Sequence, residues 1–177
     1  MALATEVIEG IRNIKLAIFD VDGVLTDGRL VYGANGEETK VFNALDGHGM
    51  KMLQESGVAL AIISGRESLA LARRAKDLAI NHLFMGVDNK LDTFNTLLKN
   101  LALVPAEAAG LGDDVIDLPF LMRCGFAAAV PSAPAYVRER VHYVTTAGGG
   151  HGAAREFCDL IMQTQDTWDA ALRKYLD

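Results

Sequence analysis

Six short apolar segments, separated for the most part by amphipathic stretches, constrain the fold of this chain more than any other feature of its sequence. The segments are Leu16 to Phe19, Val58 to Ile63, His82 to Met85, Ala108 to Leu111, Phe126 to Val130 and His142 to Val144. Segments that are apolar at consecutive positions are typical of strands buried on both faces, and the amphipathic stretches are typical of helices that cover them. The pattern predicts an α/β fold with a doubly wound, mostly parallel sheet.

The stretches between the strands predict helices over residues 47–56, 67–78, 90–101, 115–123, 134–140 and 152–175. Residues 29–42 break the alternation, because Asn35-Gly36 there lies between two extended arms and readily takes the positive φ angles of a tight turn. We predict a β-hairpin flap that directly follows the first strand. A simple flap on the edge of the sheet is the alternative interpretation.

Composition limits the classes of function. Of the 177 residues 50% are hydrophobic, and no linker, low-complexity block or repeat interrupts them, so we expect a single domain over residues 1–177 with 147–177 as a C-terminal tail and helix. A net charge of −6 disfavours capture of nucleic acid or of an anionic membrane. The longest apolar stretch, Val58 to Ile63, is far short of a membrane span, and Glu6 and Glu9 argue against a signal peptide. Cys124 and Cys158 lack metal-binding spacing, so we expect a cytoplasmic protein.

Polar residues follow the predicted strands where a ligand crevice forms in open α/β sheets. They are Asp20 and Asp22, Ser64, Lys90, and Asp113 with Asp114 and Asp117. Taken singly, each has a structural explanation such as helix capping or solvation. Two aspartate clusters on separate strands would nevertheless repel each other unless a cation lay between them, and Mg²⁺ prefers such oxygen ligands. The set therefore predicts a magnesium site at this edge.

The same residues, in their order along the chain, resemble the four motifs of the haloacid dehalogenase superfamily phosphatases. A closer resemblance, over about Ile14 to Leu160, is to the family of phosphatases that act on 3-deoxy-D-manno-octulosonate 8-phosphate. It is carried by Asp27-Gly28, Phe42-Asn43, Asp46-Gly47, Ser64-Gly65-Arg66, Asn89-Lys90 and Gly148-Gly149-Gly150. This resemblance implies a Rossmann-like core without a cap domain, in a magnesium-dependent, cytoplasmic homotetramer of lipopolysaccharide precursor synthesis that takes a small phosphorylated sugar acid.

Phosphomonoester hydrolysis assigns a role to each motif. Asp20, ionised at neutral pH, is the expected nucleophile and forms an aspartyl-phosphate, while Asp22 protonates the leaving sugar oxygen and later deprotonates water. Ser64 and Lys90 are expected to bind the phosphoryl group. Asp20, Asp113 and, by the resemblance, the main-chain carbonyl of Asp22 would hold Mg²⁺. Asp114 and Asp117 would orient these ligands from behind, or else serve the adjacent helix as caps.

Basic residues near these motifs are the expected handles for an acidic sugar. Arg66 and Arg74 are eight positions apart, which places them on nearly one face of the predicted helix. The resemblance implies substrate contacts from both, as well as from Asp22 and Lys90, from Lys51, and from the loop Asn43-Ala44-Leu45-Asp46-Gly47. Leu45 and Lys51 stand where the family commonly has arginine, and lysine cannot grip a carboxylate in bidentate fashion. A nine-carbon nonulosonate 9-phosphate of the sialic acid or KDN type therefore stays open as an alternative substrate.

Other classes share parts of this constellation. A receiver-type signalling domain also uses aspartates, Mg²⁺, a hydroxyl and lysine, but it accepts phosphate on an aspartate in the middle of the sheet, where this chain has Ser64. A phosphate-transferring mutase is harder to separate. Only 43 residues lie between Asp20 and Ser64 and 25 between Ser64 and Lys90, which leaves little room for a cap domain. We therefore expect a neighbouring subunit to cover the site, with the glycine run 148–150 as a mobile closure or a hinge.

Overall fold

A parallel sheet of six strands lies at the centre of the chain, which the computed structural model describes from residue 3 to residue 176. The strands of this described part are β1 (Leu16–Phe19), β2 (Val31–Tyr32), β3 (Glu38–Thr39), β4 (Ala59–Ile63), β5 (His82–Phe84), β6 (Ala108–Gly112), β7 (Phe126–Ala129) and β8 (Tyr143–Val144). The central sheet has the order β5-β4-β1-β6-β7-β8, and every neighbouring pair in it is parallel. The predicted doubly wound parallel sheet is confirmed.

The helices match the prediction less closely than the strands do, since six were predicted and the described residues form eight α-helices. They are α1 (Thr5–Arg12), α2 (Ala44–Glu55), α3 (Leu69–Asp77), α4 (Lys90–Leu101), α5 (Leu118–Leu121), α6 (Ala135–Arg138), α7 (Ala153–Thr164) and α8 (Trp168–Arg173). Helix α1 was not expected. The single helix predicted over 152–175 is wrong, because Asp166 takes a φ of +58° and separates α7 from α8. The helix predicted over 115–123 is shorter than expected, and α2 begins three residues before its predicted start.

Strand β1 shows why both faces of the sheet carry helices. Its residues alternate between two apolar cores: Ala17 and Phe19 point to one, and Leu16 and Ile18 to the other. The first core is completed mainly by α2, α3 and α7, and the second by α4 and α5. None of the helices within residues 3–176 is both long enough and apolar enough to traverse a lipid bilayer.

The hairpin predicted after the first strand is present, but it is separate from the central sheet. Strands β2 and β3 pair only with each other in antiparallel register, with Tyr32 opposite Glu38. Gly36 has a φ of +84° at the turn, as the Asn35-Gly36 dipeptide predicted. The alternative of a flap on the edge of the main sheet is therefore wrong.

Candidate active site

A buried group of charges lies at the carboxyl end of β1. Asp20 follows this strand and is 5% exposed, and its carboxylate is paired with the Lys90 ammonium at the start of α4. Lys90 Nζ also lies 2.6 Å from Oδ1 of the fully buried Asp117. Neighbouring parallel strands end at the same edge, so residues from distant parts of the sequence meet here. The predicted convergence of Asp20 and Lys90 is present in the structure.

Asp113 brings another carboxylate to the same place. Oxygen atoms of Asp20, Asp113 and Asp117 all lie within 4.8 Å of one another. Burial and the nearby charge of Asp117 raise the pKa of Asp20 to about 6. Burial and the charge of Asp20 raise the pKa of Asp113 to about 8. A single lysine ammonium thus faces three carboxylates, and a divalent cation with oxygen ligands would relieve the remaining repulsion. The residues present fit a Mg²⁺ site.

Asp117 organises this group more than the sequence indicated. Its Oδ2 accepts hydrogen bonds from the backbone N–H groups of Asp113 at 3.0 Å and of Asp114 at 3.3 Å, while Oδ1 meets Lys90. The carboxylate therefore fixes the β6–α5 turn and the lysine together, and its role in orienting metal ligands stays a prediction. It makes no side-chain cap to α5. Asp114 instead accepts a local bond from the Val115 N–H at 2.7 Å.

The turn after β1 is wound tightly about one carbonyl. The oxygen of Val21 accepts bonds from the N–H groups of Val24, Leu25 and Thr26 at 2.9–3.2 Å. Gly23 follows with a φ of +93°, and a β-carbon there would collide with the Asp113 carboxylate. Only glycine fits this position without displacing a candidate metal ligand.

Ser64 follows β4 on the other side of β1 and is 2% exposed. Its backbone N–H donates to the Phe84 carbonyl at 2.9 Å, and its own carbonyl accepts from Val87 at 3.0 Å, so β5 holds the turn in place. The hydroxyl oxygen accepts a 3.2 Å bond from the Arg66 N–H. The residue lies at the same carboxyl edge as Asp20, where the sequence predicted it.

The hairpin presents charged residues to Asp22 that the sequence interpretation missed. Lys40 Nζ is paired with Asp22 Oδ1 and lies 3.0 Å from Glu38 Oε1. Arg66 donates through Nη2 to Glu38 Oε2 at 2.6 Å and to the Tyr32 hydroxyl at 2.9 Å. The hydrogen bond from Arg66 lowers the pKa of Glu38 to about 2. The sequence shows only that the hairpin follows Asp22 closely. That short distance does not determine whether the hairpin packs against Asp22 or away from it.

Arg66 and Arg74, which were predicted to share one helix face, point to different parts of the structure. Arg66 precedes α3, whose N-cap is Ser68, and turns toward the hairpin. Arg74 lies within α3 and donates through Nη2 to the Asn43 carbonyl at 2.9 Å, with its guanidinium carbon 5.9 Å from the centre of the Phe42 ring. The expected shared face is therefore wrong, because Arg66 is not helical.

The segment 43–47, expected as a loop, is the N-terminal end of α2. Asn43 is the N-cap and accepts from the Leu45 N–H at 2.8 Å. Ala44 and Leu45 are exposed, as is Lys51 further along the helix, whereas Gly47 is covered by Arg74. Asp46 is 2% exposed and accepts from the N–H groups of Arg155 at 2.8 Å and of Gly152 at 3.3 Å. Its carboxylate thus faces the start of α7 rather than the open crevice.

The glycine run 148–150 packs against the turn after β1 in its own chain. The Gly150 N–H donates to the Val24 carbonyl at 2.9 Å, and Asn43 donates to the Gly150 carbonyl at 3.2 Å. A β-carbon on Gly149 would collide with the Gly23 carbonyl. These contacts hold the glycine run against the turn after β1 of its own chain, and its expected role as a hinge or as a closure over a neighbouring site stays a prediction. Arg155 pairs with Asp159 at 2.8 Å, as a structural ion pair.

The strand order and the buried aspartate, lysine and aspartate groups at one sheet edge define a hydrolase of the haloacid dehalogenase superfamily. No protein-family model matches the chain. The chain is 43% identical over 169 residues to the 3-deoxy-D-manno-octulosonate 8-phosphate phosphatase KdsC of Escherichia coli K12, covering 96% of this chain and 90% of the relative. The chain belongs to the 3-deoxy-D-manno-octulosonate 8-phosphate phosphatase family.

Solved structures agree with this assignment. A probable YrbI family phosphatase of Pseudomonas syringae has 50% identity and a TM-score of 0.96, with 98% of this chain and 99% of that chain covered. The Moraxella catarrhalis 3-deoxy-D-manno-octulosonate 8-phosphate phosphatase, solved with a magnesium ion, a phosphate ion and KDO, has 41% identity and a TM-score of 0.94, with 96% and 98% covered. These likenesses leave a receiver-type signalling domain without support.

Proposed function

We propose that this protein is a Mg²⁺-dependent phosphatase that hydrolyses 3-deoxy-D-manno-octulosonate 8-phosphate to the free sugar acid and phosphate. The observation that carries the proposal is the buried Asp20 carboxylate, paired with Lys90 and within 4.8 Å of carboxylate oxygens of Asp113 and Asp117. The names of the relatives in E. coli and M. catarrhalis support the substrate. The reaction belongs to lipopolysaccharide precursor synthesis, as the family resemblance implies.

In the first step Asp20 attacks phosphorus and forms an aspartyl-phosphate, while Asp22 gives a proton to the departing sugar oxygen. Lys90 holds Asp20 in place and, together with Ser64, binds the phosphoryl oxygens. In the second step Asp22 takes a proton from the attacking water and Asp20 is released. Asp20, Asp113 and the Asp22 carbonyl would hold Mg²⁺, which when bound neutralises charge between the nucleophile and the phosphate. Asp114 and Asp117 keep the turn in register.

For the sugar acid we propose Arg66 and Lys51 as the principal charged contacts, with Asn43, Ala44 and Leu45 at the rim. Arg74, Asp46 and Gly47 support this rim from within, since their contacts are made inside the chain. Leu45, at 61% exposure, stands where the family commonly has arginine, and this keeps a nonulosonate 9-phosphate as the second candidate substrate.

We further propose that residues 1–177 form one cytoplasmic domain that assembles as a homotetramer. Val41, Leu45 and Leu69 are 75%, 61% and 91% exposed on segments next to the site, and a neighbouring subunit would bury them while covering the crevice. Light scattering of the purified protein tests the assembly. A monomer at micromolar concentration would contradict it.

The activity is tested by measuring phosphate release with Mg²⁺ from the eight-carbon substrate, a nonulosonate 9-phosphate and p-nitrophenyl phosphate. We expect the eight-carbon substrate to have the highest kcat/KM, no release in excess chelator, and recovery on adding Mg²⁺. Asp20→Asn should abolish turnover with the fold intact, and Asp22→Asn should impair both steps. Release by Asp20→Asn near the wild-type rate would refute the mechanism, and a higher kcat/KM for the nine-carbon substrate would reassign the substrate.

A further inference from the structure

The Lys40 ammonium is a buried charge that the mechanism above does not use. Its side chain is only 2% exposed, although the residue lies in a short surface hairpin just after β3. Burial of a lysine is costly unless carboxylates compensate the charge. Two of them do so here, Asp22 and Glu38.

The Lys40 ammonium is also held by Glu38, in addition to Asp22. Glu38 Oε1 lies 3.0 Å from Lys40 Nζ, and Glu38 Oε2 accepts a 2.6 Å bond from Arg66. Arg66 in turn is anchored on the Tyr32 hydroxyl at 2.9 Å. The hairpin therefore supplies an ammonium whose position is fixed before any substrate arrives.

The two oxygens of Asp22 have different surroundings. Oδ1 is paired with Lys40, whereas Oδ2 has Arg66 Nε at 3.7 Å, too far for a hydrogen bond. The Asp22 side chain is 21% exposed, and within residues 3–176 its Oδ2 accepts no hydrogen bond. One oxygen is thus restrained and the other is free to exchange a proton.

We propose that Lys40 is a positioning residue that restrains Asp22 through Oδ1 so that Oδ2 transfers the proton to the leaving group. The inference rests on the proposed phosphatase function. When the bond from Asp20 to phosphorus forms, the bond from phosphorus to the sugar oxygen breaks, and that oxygen takes the electron pair and the Oδ2 proton. Asp22 is left as a carboxylate that stays paired with Lys40. In the second step the water oxygen bonds to phosphorus as the bond from phosphorus to Asp20 breaks, and one proton of that water goes to Oδ2.

The test uses leaving groups that differ in their need for a proton. Nitrophenolate can leave as an anion, whereas the sugar oxygen needs a proton in order to leave. Lys40→Met should therefore lower kcat/KM about 10- to 100-fold for the sugar phosphate. For p-nitrophenyl phosphate the loss in kcat/KM, which reports the first step, should stay within about 3-fold. Across substituted phenyl phosphates, kcat/KM of the variant should fall more steeply with leaving-group pKa than that of the wild type.

Matched variants separate positioning from stability. Lys99→Met removes an exposed lysine from α4 and should leave both substrates unchanged. Lys40→Arg keeps the charge and should recover part of the leaving-group dependence. If Lys40→Met does not fold, Glu38→Gln, which loosens Lys40, should give the same steeper dependence of kcat/KM on leaving-group pKa across the substituted phenyl phosphates, which lack the sugar acid that Arg66 contacts.

Equal losses on both substrates in Lys40→Met, or in Glu38→Gln if that variant must be used, would overturn the inference and leave a structural role. A wild-type dependence on leaving-group pKa in either variant would also overturn it. If the wild-type protein releases no phosphate from any of these esters, the proposed function falls and the inference with it. If the wild type is active and Lys40→Met lowers kcat/KM equally for both substrates, the inference about Lys40 is wrong and the proposed function stands.

Discussion

Asp113 lies so close to Gly23 that a β-carbon on the glycine would collide with the aspartate carboxylate. The contact joins the turn after β1 to the turn after β6, the two places from which the candidate metal ligands come. The absence of a side chain at position 23 is thus part of the site.

Gly23→Ala should therefore weaken Mg²⁺ binding and lower kcat by at least about 10-fold, because the Asp113 carboxylate must move. The backbone strain alone, at a φ of +93°, costs about 1–2 kcal/mol of stability. Gly36→Ala is the matched control, since Gly36 has a φ of +84° but no atom within 4 Å of the new carbon. A Mg²⁺ titration of activity compares the two, and equal effects in both would attribute the loss to strain.

The stability of the metal-free protein should fall as pH rises. The pKa values of Asp20 and Asp113 are raised to about 6 and about 8 from 3.8, so the folded state binds more protons than the unfolded chain across this range. The free energy of unfolding then decreases from about pH 4 to pH 8. Mg²⁺ should raise the Tm more at pH 8 than at pH 5.5, as thermal melts with and without Mg²⁺ can measure. Asp113→Asn should flatten the metal-free dependence, and an equal Mg²⁺ effect at both pH values would contradict the site.

Gly149→Ala should damage both stability and activity. The new carbon meets backbone atoms of Gly23 and Thr26, which cannot rotate away, so either the turn after β1 or the glycine run 148–150 must shift. We expect a loss of about 1–3 kcal/mol in stability and at least about a 10-fold loss in kcat. Gly148→Ala is the control, because its nearest atom, on His151, is 3.9 Å away. Thermal melts and p-nitrophenyl phosphate assays on both variants measure these effects. A Gly149→Ala protein with the Tm and kcat of the wild type would show that the contact is dispensable.

Asp46→Asn should lower the Tm without raising KM for the sugar phosphate. The carboxylate accepts from two N–H groups at the start of α7, and an amide can replace only one of these acceptors. The expected cost is about 1 kcal/mol. A raised KM with an unchanged Tm would instead restore the substrate contact that the sequence predicted.

The meeting of Asp20 and Asp113 could be predicted because it follows from a rule of topology: parallel neighbours end at one edge, whatever the loops do. The position of Lys40 could not, since a hairpin attached at two points can fold toward either side. Arg66 shows the same limit. Its spacing from Arg74 predicted one shared face, but α3 begins only at Leu69, so Arg66 lies before the helix and its side chain does not follow the helical period.

The termini were missed for a related reason. Helix α1 is eight residues long, and a helix that short is marginal unless an apolar face such as that of Val7 and Ile11 finds a partner. The break between α7 and α8 occurs at Asp166, with no glycine or proline to announce it. Both features are decided by packing against distant parts of the chain.

The bond from Gly150 to the Val24 carbonyl has a consequence for synthesis on the ribosome. The turn after β1 is synthesised well before the segment that completes its backbone, which follows more than 120 residues later in the chain. A nascent chain that already contains every aspartate and lysine of the site still lacks this support. The chain should therefore acquire its full activity only after the segment around Gly150 has left the ribosome.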